Sequence, residues 1–255
     1  MITVEKIAEG RFDTDMKYTF TEQGKAFGNI GEWLMFVDAS QTQGDRALNR
    51  SSRQDWIQTS PASSISLETL DGFPAFKTGA GLTVLQPAIE VPQNEWTVVF
   101  VLGLHGVSNG LRRNIFRSSS VVETDPDFLG LNIFVGGSNG VSSLRLVTKG
   151  GASPDTPIRI SYSAGSGTFR DKTFLAIFTF SKEDGLKLFL NGERKAARPE
   201  DGRPLTDGGT FDLFPLLEDG LCPEVLINAR DLSLIPGAIE AVSNFYANKY
   251  DLSDF

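Results

Sequence analysis

The chain is poor in the residues that most often carry covalent or metal chemistry. It has one cysteine and one histidine in 255 residues. A single thiol cannot close a disulfide within the chain or supply a Cys-rich metal site, and a single imidazole excludes a multi-His zinc centre. Basic charge is also scarce. With 24 Lys and Arg against 32 Asp and Glu the net charge is -8, which argues against nucleic acid or an anionic membrane as the main partner. Long apolar runs are missing too: Val98 to Leu102 and Phe174 to Phe178 are far shorter than a bilayer-spanning helix requires. The first ten residues hold no basic stretch followed by an apolar one, so the expectation is a soluble product that first appears in the cytoplasm. A protein built into a virus particle and released by lysis carries the same signature. Tyrosine (4) and tryptophan (3) are few, whereas phenylalanine (19) is abundant. Phe delivers apolar area without a hydroxyl that needs a partner, so this bias points to a core rather than to a sugar-binding cleft.

What is present is alternation. From Phe12 to Phe20 the even positions are apolar or Thr, and Arg11, Asp13 and Asp15 stand among the odd ones, the pattern of a half-buried strand. Glu95 to Leu102 and Thr173 to Phe180 are almost wholly apolar, β-branched or aromatic, which predicts central strands buried on both faces. Further strands are expected near 33–37, 65–70, 82–85, 112–117, 128–135, 143–148, 157–162, 186–190, 211–213 and 224–228. Glu183-Asp184-Gly185, Gly136 to Gly140 and Asn191-Gly192 supply turns, the last being the strongest type I′ hairpin signal. Many short strands with such turns predict an all-β sandwich. One helix is expected from Pro236 to Tyr250, where Ile239, Val242, Phe245, Tyr246 and Tyr250 recur at steps of three and four. The polar stretches 41–62 and 194–210 read as long loops.

The C-terminal third carries a resemblance. Phe174 to Phe180, a turn, then Leu186-Lys187-Leu188-Phe189-Leu190-Asn191-Gly192-Glu193 resembles the laminin-G-like signature hairpin. Pro223 to Ser233 resembles the last strand of that fold, and Ile239 to Tyr250 resembles the closing helix of its bacterial and phage versions. Trp33 to Ser40 is similar to their opening strand, and Glu95 to Leu102 to their first long core strand. The chain thus resembles the concanavalin A-like lectin/glucanase family over 33–255. That resemblance implies a jelly-roll sandwich of two curved antiparallel sheets, with residues 1–32 as an N-terminal strand or assembly arm. The fold serves lectins, enzymes and virion proteins alike, so it leaves function open.

Retaining glucanases of this fold carry Glu-x-Asp-x-x-Glu on one strand, with the two working carboxyls about 5–5.5 Å apart. Here Glu123-Thr124-Asp125-Pro126-Asp127-Phe128 has Phe128 at the third acidic position, and Pro126 interrupts the strand. The lyase pattern Gln-x-His has no counterpart at His105. Cys222 reads as a small buried hydrophobe. The expectation is therefore a non-enzyme without a cofactor. Asp125 and Asp127 are the candidate ligands for a structural calcium ion, with Asp201 and Asp207 as a second set, against the reading of solvated acidic loops. Trp33 and Trp96 open apolar strands and read as core. Trp56, with Arg53 and Asp55, is the candidate sugar platform, and Arg46, Arg50 and Arg53 together suit an acidic glycan or an acidic protein. A tryptophan in that setting also serves to anchor its loop to the core. The expected role is a virion-associated interaction protein of capsid-decoration or tail-fibre type, a homo-oligomer on the analogy of trimeric relatives, that binds virion proteins or host surface glycans. The alternative is a glycan-cleaving enzyme with a divergent site.

Overall fold

The computed structural model describes residues 26–51, 55–60, 65–78, 84–85, 87–104, 113–118, 132–136, 143–149, 157–163, 169–199, 209–213 and 220–254. The alternating segment at 12–20, His105, and the residues from Glu123 to Phe128 lie outside them, as do Asp201 and Asp207.

Two antiparallel sheets make up the body. The major sheet contains β1 (Trp33–Gln43), β2 (Arg46–Asn49), the start of β3 (Trp56–Ser60), β4 (Leu67–Leu70), β5 (Phe73–Thr78), β7 (Glu95–Gly103), β12 (Thr173–Ser181), β13 (Gly185–Leu190), β14 (Glu193–Arg198), β16 (Gly220–Cys222) and β17 (Glu224–Asn228). The minor sheet contains the end of β3, β6 (Val84–Leu85), β8 (Arg113–Ser118), β9 (Asn132–Gly136), β10 (Ser143–Lys149), β11 (Pro157–Ser163) and β15 (Phe211–Leu213). β3 passes between them: Trp56 to Gln58 pair with β2, whereas Thr59 and Ser60 pair with β6. This is the all-β antiparallel sandwich that the strand pattern and the resemblance predict.

The strands at the centre obey the two-sided rule. β7 lies between β12 and β17, in register with Leu175 opposite Val101 and Leu226 opposite Val99. Val98, Phe100 and Leu102 point into the core between the sheets, together with Phe174, Phe178, Phe180, Phe211 and Trp96. Val99, Val101, Leu175, Ile177 and Leu226 point the other way, into a second core. That second core is covered by the helix α1 (Ala238–Ala247), a 3₁₀ turn at Leu232–Leu234 and the residues Phe27 and Ile30. The molecule therefore has three layers. Each buried aliphatic or aromatic side chain contributes about 1.5–3 kcal/mol, so two apolar faces on β7 and β12 make them the mechanical spine.

Two expectations need correction. The stretch 41–62 is not a long loop: the end of β1 and all of β2 and β3 fall in it. Its inward positions are Ala47, Ile57 and Thr59, only one of them large and apolar, so the alternation is muted, and most of the outward residues are polar. The stretch from 194 begins as strand β14, whose residues are charged except at Ala196 and Ala197, with Ala196 packed on the inner core. β5 and β16 likewise escape the sequence pattern. The helix begins after Pro236, with Gly237 at its N-cap in a left-handed conformation. The Asn191-Gly192 turn is as expected: both residues have positive φ (49° and 88°), and the turn joins β13 to β14.

Candidate functional site

The outer face of the major sheet is divided into a covered part and a bare part. Under α1 the covering is sealed by a buried carboxylate. Glu224, 1% exposed, accepts hydrogen bonds from Tyr246 Oη (2.9 Å) and Tyr250 Oη (2.9 Å) and pairs with Lys249 Nζ. Burial, and then the charge of Glu224, push both phenols well above the usual tyrosine range. Asp38 lies directly opposite Glu224 across β1 and β17. The two are a facing carboxylate pair, but Glu224 is closed off by two tyrosines and a lysine, so no glycosidic bond can reach it.

A groove of about 530 Å³ lies where α1 begins, lined by Phe189, Ser233, Gly237, Glu240, Ser243 and Asn244 among others. Several of its polar groups are engaged internally. Ser233 Oγ donates to Asp231 Oδ1 (2.6 Å) and accepts from Lys187 Nζ (2.9 Å). Lys187 also pairs with Asp184. Asp231 accepts from Ser233 N as the cap of the 3₁₀ turn. This serine, lysine and aspartate cap a turn rather than form a nucleophile and base. Ser243 Oγ donates to Ile239 O (2.8 Å), and Asn191 uses both ends of its amide, on Leu175 N and Ser253 O.

The bare part is the ribbon of β1, β2 and β3. Strand alternation sets which side chains it displays. Ala47 and Ile57 are buried toward the inner core, so Arg46, Leu48, Trp56 and Gln58 stand on the outer face. Leu48 is opposite Trp56 and Arg46 is opposite Gln58. Arg50 follows at the end of β2, its N–H bonded to Phe36 O. Its guanidinium lies 4.9 Å over the Phe36 ring and 3.3 Å from Asp38 Oδ2. Trp56 keeps 45% of its surface open.

The sequence-predicted set is only partly assembled. Trp56 belongs to a strand, not to a loop, and does not anchor itself in the core. Asp55 is adjacent, but its Oδ1 accepts from Asn49 Nδ2 (2.9 Å), whose Oδ1 accepts from Phe36 N. Asn49 is fully buried, so Asp55 closes the ribbon edge instead of sharing a face with Trp56. Arg53, Asp125 and Asp127 lie outside the described residues. Arg46 and Arg50 belong to the arginine set that the sequence offers for an acidic partner; Leu48 and Phe36 are the residues that sequence spacing leaves out of the platform, and the only available signal is the alternation through Ala47 and Ile57. Trp96 is buried in the inner core, and Trp33 stacks on Phe27 at 5.5 Å, so both are structural as expected. Cys222 is a free, buried thiol whose pKa desolvation pushes up, the small-hydrophobe role anticipated for it. Among the described residues no group of three or more His, Cys, Asp or Glu is placed to hold a metal ion.

An all-β sandwich with a closing helix and an open aromatic ribbon is thus the class this chain defines. No protein-family model matches it, and no curated protein is similar in sequence. Solved structures do share its fold. The binding domain of botulinum neurotoxin serotype D superposes with a TM-score of 0.63 at 11% identity, over 86% of this chain and 52% of that one. The serotype D ligand-binding domain in complex with N-acetylneuraminic acid gives 0.62 at 12% identity, over 88% and 53%. The binding domain of botulinum neurotoxin DC in complex with rat synaptotagmin II gives 0.60 at 14% identity, over 84% and 51%. The chain spans about half the length of the structures it matches, and the likeness is one of fold.

Proposed function

We propose that this protein is a non-catalytic recognition module that binds surface glycans through the Trp56 face of its ribbon, as a virion component of the decoration or tail-fibre type. The observation that carries the reading is the exposure of Trp56 on a regular strand, beside Leu48 and Arg50. An exposed indole on a rigid sheet provides a stacking plane for a pyranose ring, with polar groups at its rim. The structures of similar fold support it, since each bears the name of a binding domain, and two of them are complexes with N-acetylneuraminic acid and with synaptotagmin. Assignment to a virion rests on the resemblance of 33–255 to phage jelly rolls. In this reading the chain forms a homo-oligomer, with a trimer as the expected state. The residues before 26 would contact a neighbouring subunit, and Phe27 and Ile30, buried on the major sheet, would fasten that arm.

Binding of the full chain to a glycan array, compared with Trp56→Ala, tests the central point. Loss of binding with an unchanged circular dichroism spectrum is the expected result. Robust turnover in depolymerase assays, lost in Glu123→Gln or Asp125→Asn, would overturn the non-catalytic reading in favour of the enzyme alternative. Probing purified virus particles for the protein decides the virion assignment, and sedimentation velocity decides the oligomer.

A further inference from the structure

The ribbon also indicates the charge of what it binds. Resting on the recognition reading above, we infer that the Trp56 face takes an acidic saccharide, with the sugar ring on Trp56 and its carboxylate held by Arg50 and Arg46.

The argument begins with register. Leu48 is the direct cross-strand partner of Trp56, and Arg46 is that of Gln58. Arg46 is therefore diagonal to Trp56, a relation that places Cβ atoms about 7–8 Å apart. On the next strand Val37 is opposite Asn49, and Arg50 N donates to Phe36 O, so Phe36 adjoins Arg50. Trp56 flanks Leu48 across the sheet, and Arg46 and Arg50 flank it along the chain. In a chain of net charge -8, two arginines stand beside an exposed tryptophan, each with one aspartate neighbour, Asp38 for Arg50 and Asp45 for Arg46.

Among the described residues both guanidinium groups retain donors. Arg50 directs Nη1 at Asp38 Oδ2, and Phe36 supports the flat side of the group from below. A guanidinium carries five N–H donors, and among the described residues the others of Arg50 have no hydrogen-bond acceptor. Arg46 approaches Asp45 only at 3.6 Å through Nε, while Asp45 Oδ2 accepts from Gln58 Nε2 at 2.8 Å. A carboxylate is planar and matches the arginine fork with two parallel bonds, which a neutral hydroxyl cannot do. Stacking on Phe36 and the tie to Asp38 fix the Arg50 group in advance, so little freedom is lost on binding. Asp38 and Asp45 hold the two arginines in place.

The test uses two matched pairs of probes, sialyllactose against lactose and galacturonic acid oligomers against their methyl-esterified forms. Each pair changes a carboxylate on a comparable ring, and using two pairs separates a sialic acid from a uronic acid as its source. The acidic member is expected to bind about tenfold more tightly in at least one pair, the effect of one charge-assisted hydrogen bond. Arg50→Gln and Arg46→Gln should each remove that preference while leaving neutral binding unchanged, Arg50→Lys should restore it in part, and rising salt should erode it. Trp56→Ala should abolish binding of both members. Equal affinity within both pairs, still sensitive to Trp56→Ala, would overturn the acidic inference and leave the recognition reading standing. No saccharide binding, or binding indifferent to Trp56→Ala, would overturn the recognition reading itself. Capture of poly-glutamate in place of every sugar would show an acidic protein partner and refute the inference.

Discussion

The two ends of one sheet face use the same kinds of side chain for different purposes. Under α1, aromatic rings and charges converge on Glu224: Tyr246 and Tyr250 donate to it, Lys249 pairs with it, and Lys249 Nζ lies 5.2 Å over the Phe73 ring. On the ribbon an arginine lies over Phe36, pairs with Asp38 and stands near an open tryptophan. The chemistry is similar, and only the covering layer differs. Where α1 and Phe27 exclude water, an ionic group must be fully satisfied from within, and it fastens the layers. Where no described residue covers the sheet, the same groups stay open on its surface. Substitutions under the helix should therefore change stability, and those on the ribbon should change binding.

The sharpest test is Glu224→Ala. It leaves two buried phenols and Lys249 without their acceptor, and the expected loss is about 3–5 kcal/mol. Urea unfolding reads this as a lower midpoint at constant slope. A normal midpoint would show that the carboxylate is not a fastener and would remove the contrast between the two ends.

Next comes Gly192→Ala. A Cβ at Gly192 would meet Ser243 Cβ and Oγ at 2.9 Å, on a backbone with φ +88°. The turn between β13 and β14 passes directly beneath α1, so an added methyl must push the helix outward at a cost of roughly 1–3 kcal/mol. Pairing it with Ser243→Gly should recover the part due to the clash but not the part due to φ.

Alkaline pH should act on the covered end alone. Tyr246 and Tyr250 have raised pKa values, first because they are buried and then because Glu224 is charged. The folded state keeps these protons while the unfolded chain releases them at the ordinary value of about 10. Their contribution is thus complete below that pH and is lost as pH rises above it. Denaturation at a series of alkaline pH values should show the decline, and Tyr246→Phe should make it shallower. A Trp56→Ala protein should follow the wild-type curve.

The smallest effect on stability is expected from Trp56→Ala itself. An exposed side chain with no buried partner should change the unfolding free energy by no more than about 0.5 kcal/mol. A much larger loss would mean that the indole supports the ribbon, and would weaken its assignment as a platform.

How much of this was legible follows from which way each residue faces. β7 and β12 were readable because both of their faces are buried, so nearly every residue is apolar. The Asn191-Gly192 turn was readable because positive φ at two successive positions leaves few choices of residue. α1 was readable from its spacing, although Pro236 proved to lie before the cap and not inside the helix. In the ribbon the start of β1 is readable from Met35 and Val37, but β2 and β3 are not, because their inward residues Ala47 and Thr59 are too small or too polar to stand out and Ile57 is alone among them. For the same reason Trp56 reads in the sequence as a loop residue grouped with Asp55, whereas it lies on β3 and Asp55 turns to Asn49. Glu224 gave no signal, since a glutamate at the start of a strand looks like a solvated charge until a helix closes over it.

By itself the sequence determined the class of fold: alternation, two-sided apolar strands, turn residues and one amphipathic segment are local properties, and each constrains the backbone within a few residues. It also excluded an intrachain disulfide, a Cys-rich metal site and a multi-His zinc centre, because one cysteine and one histidine cannot supply them. Only the tertiary structure decided which polar and aromatic groups are sealed and which are open. Burial is set by elements distant in the chain, as when α1 at residues 238–247 covers Glu224 and Phe27 but stops short of Trp56. A charge or an indole takes its role from the water that reaches it, and no local pattern of residues encodes that.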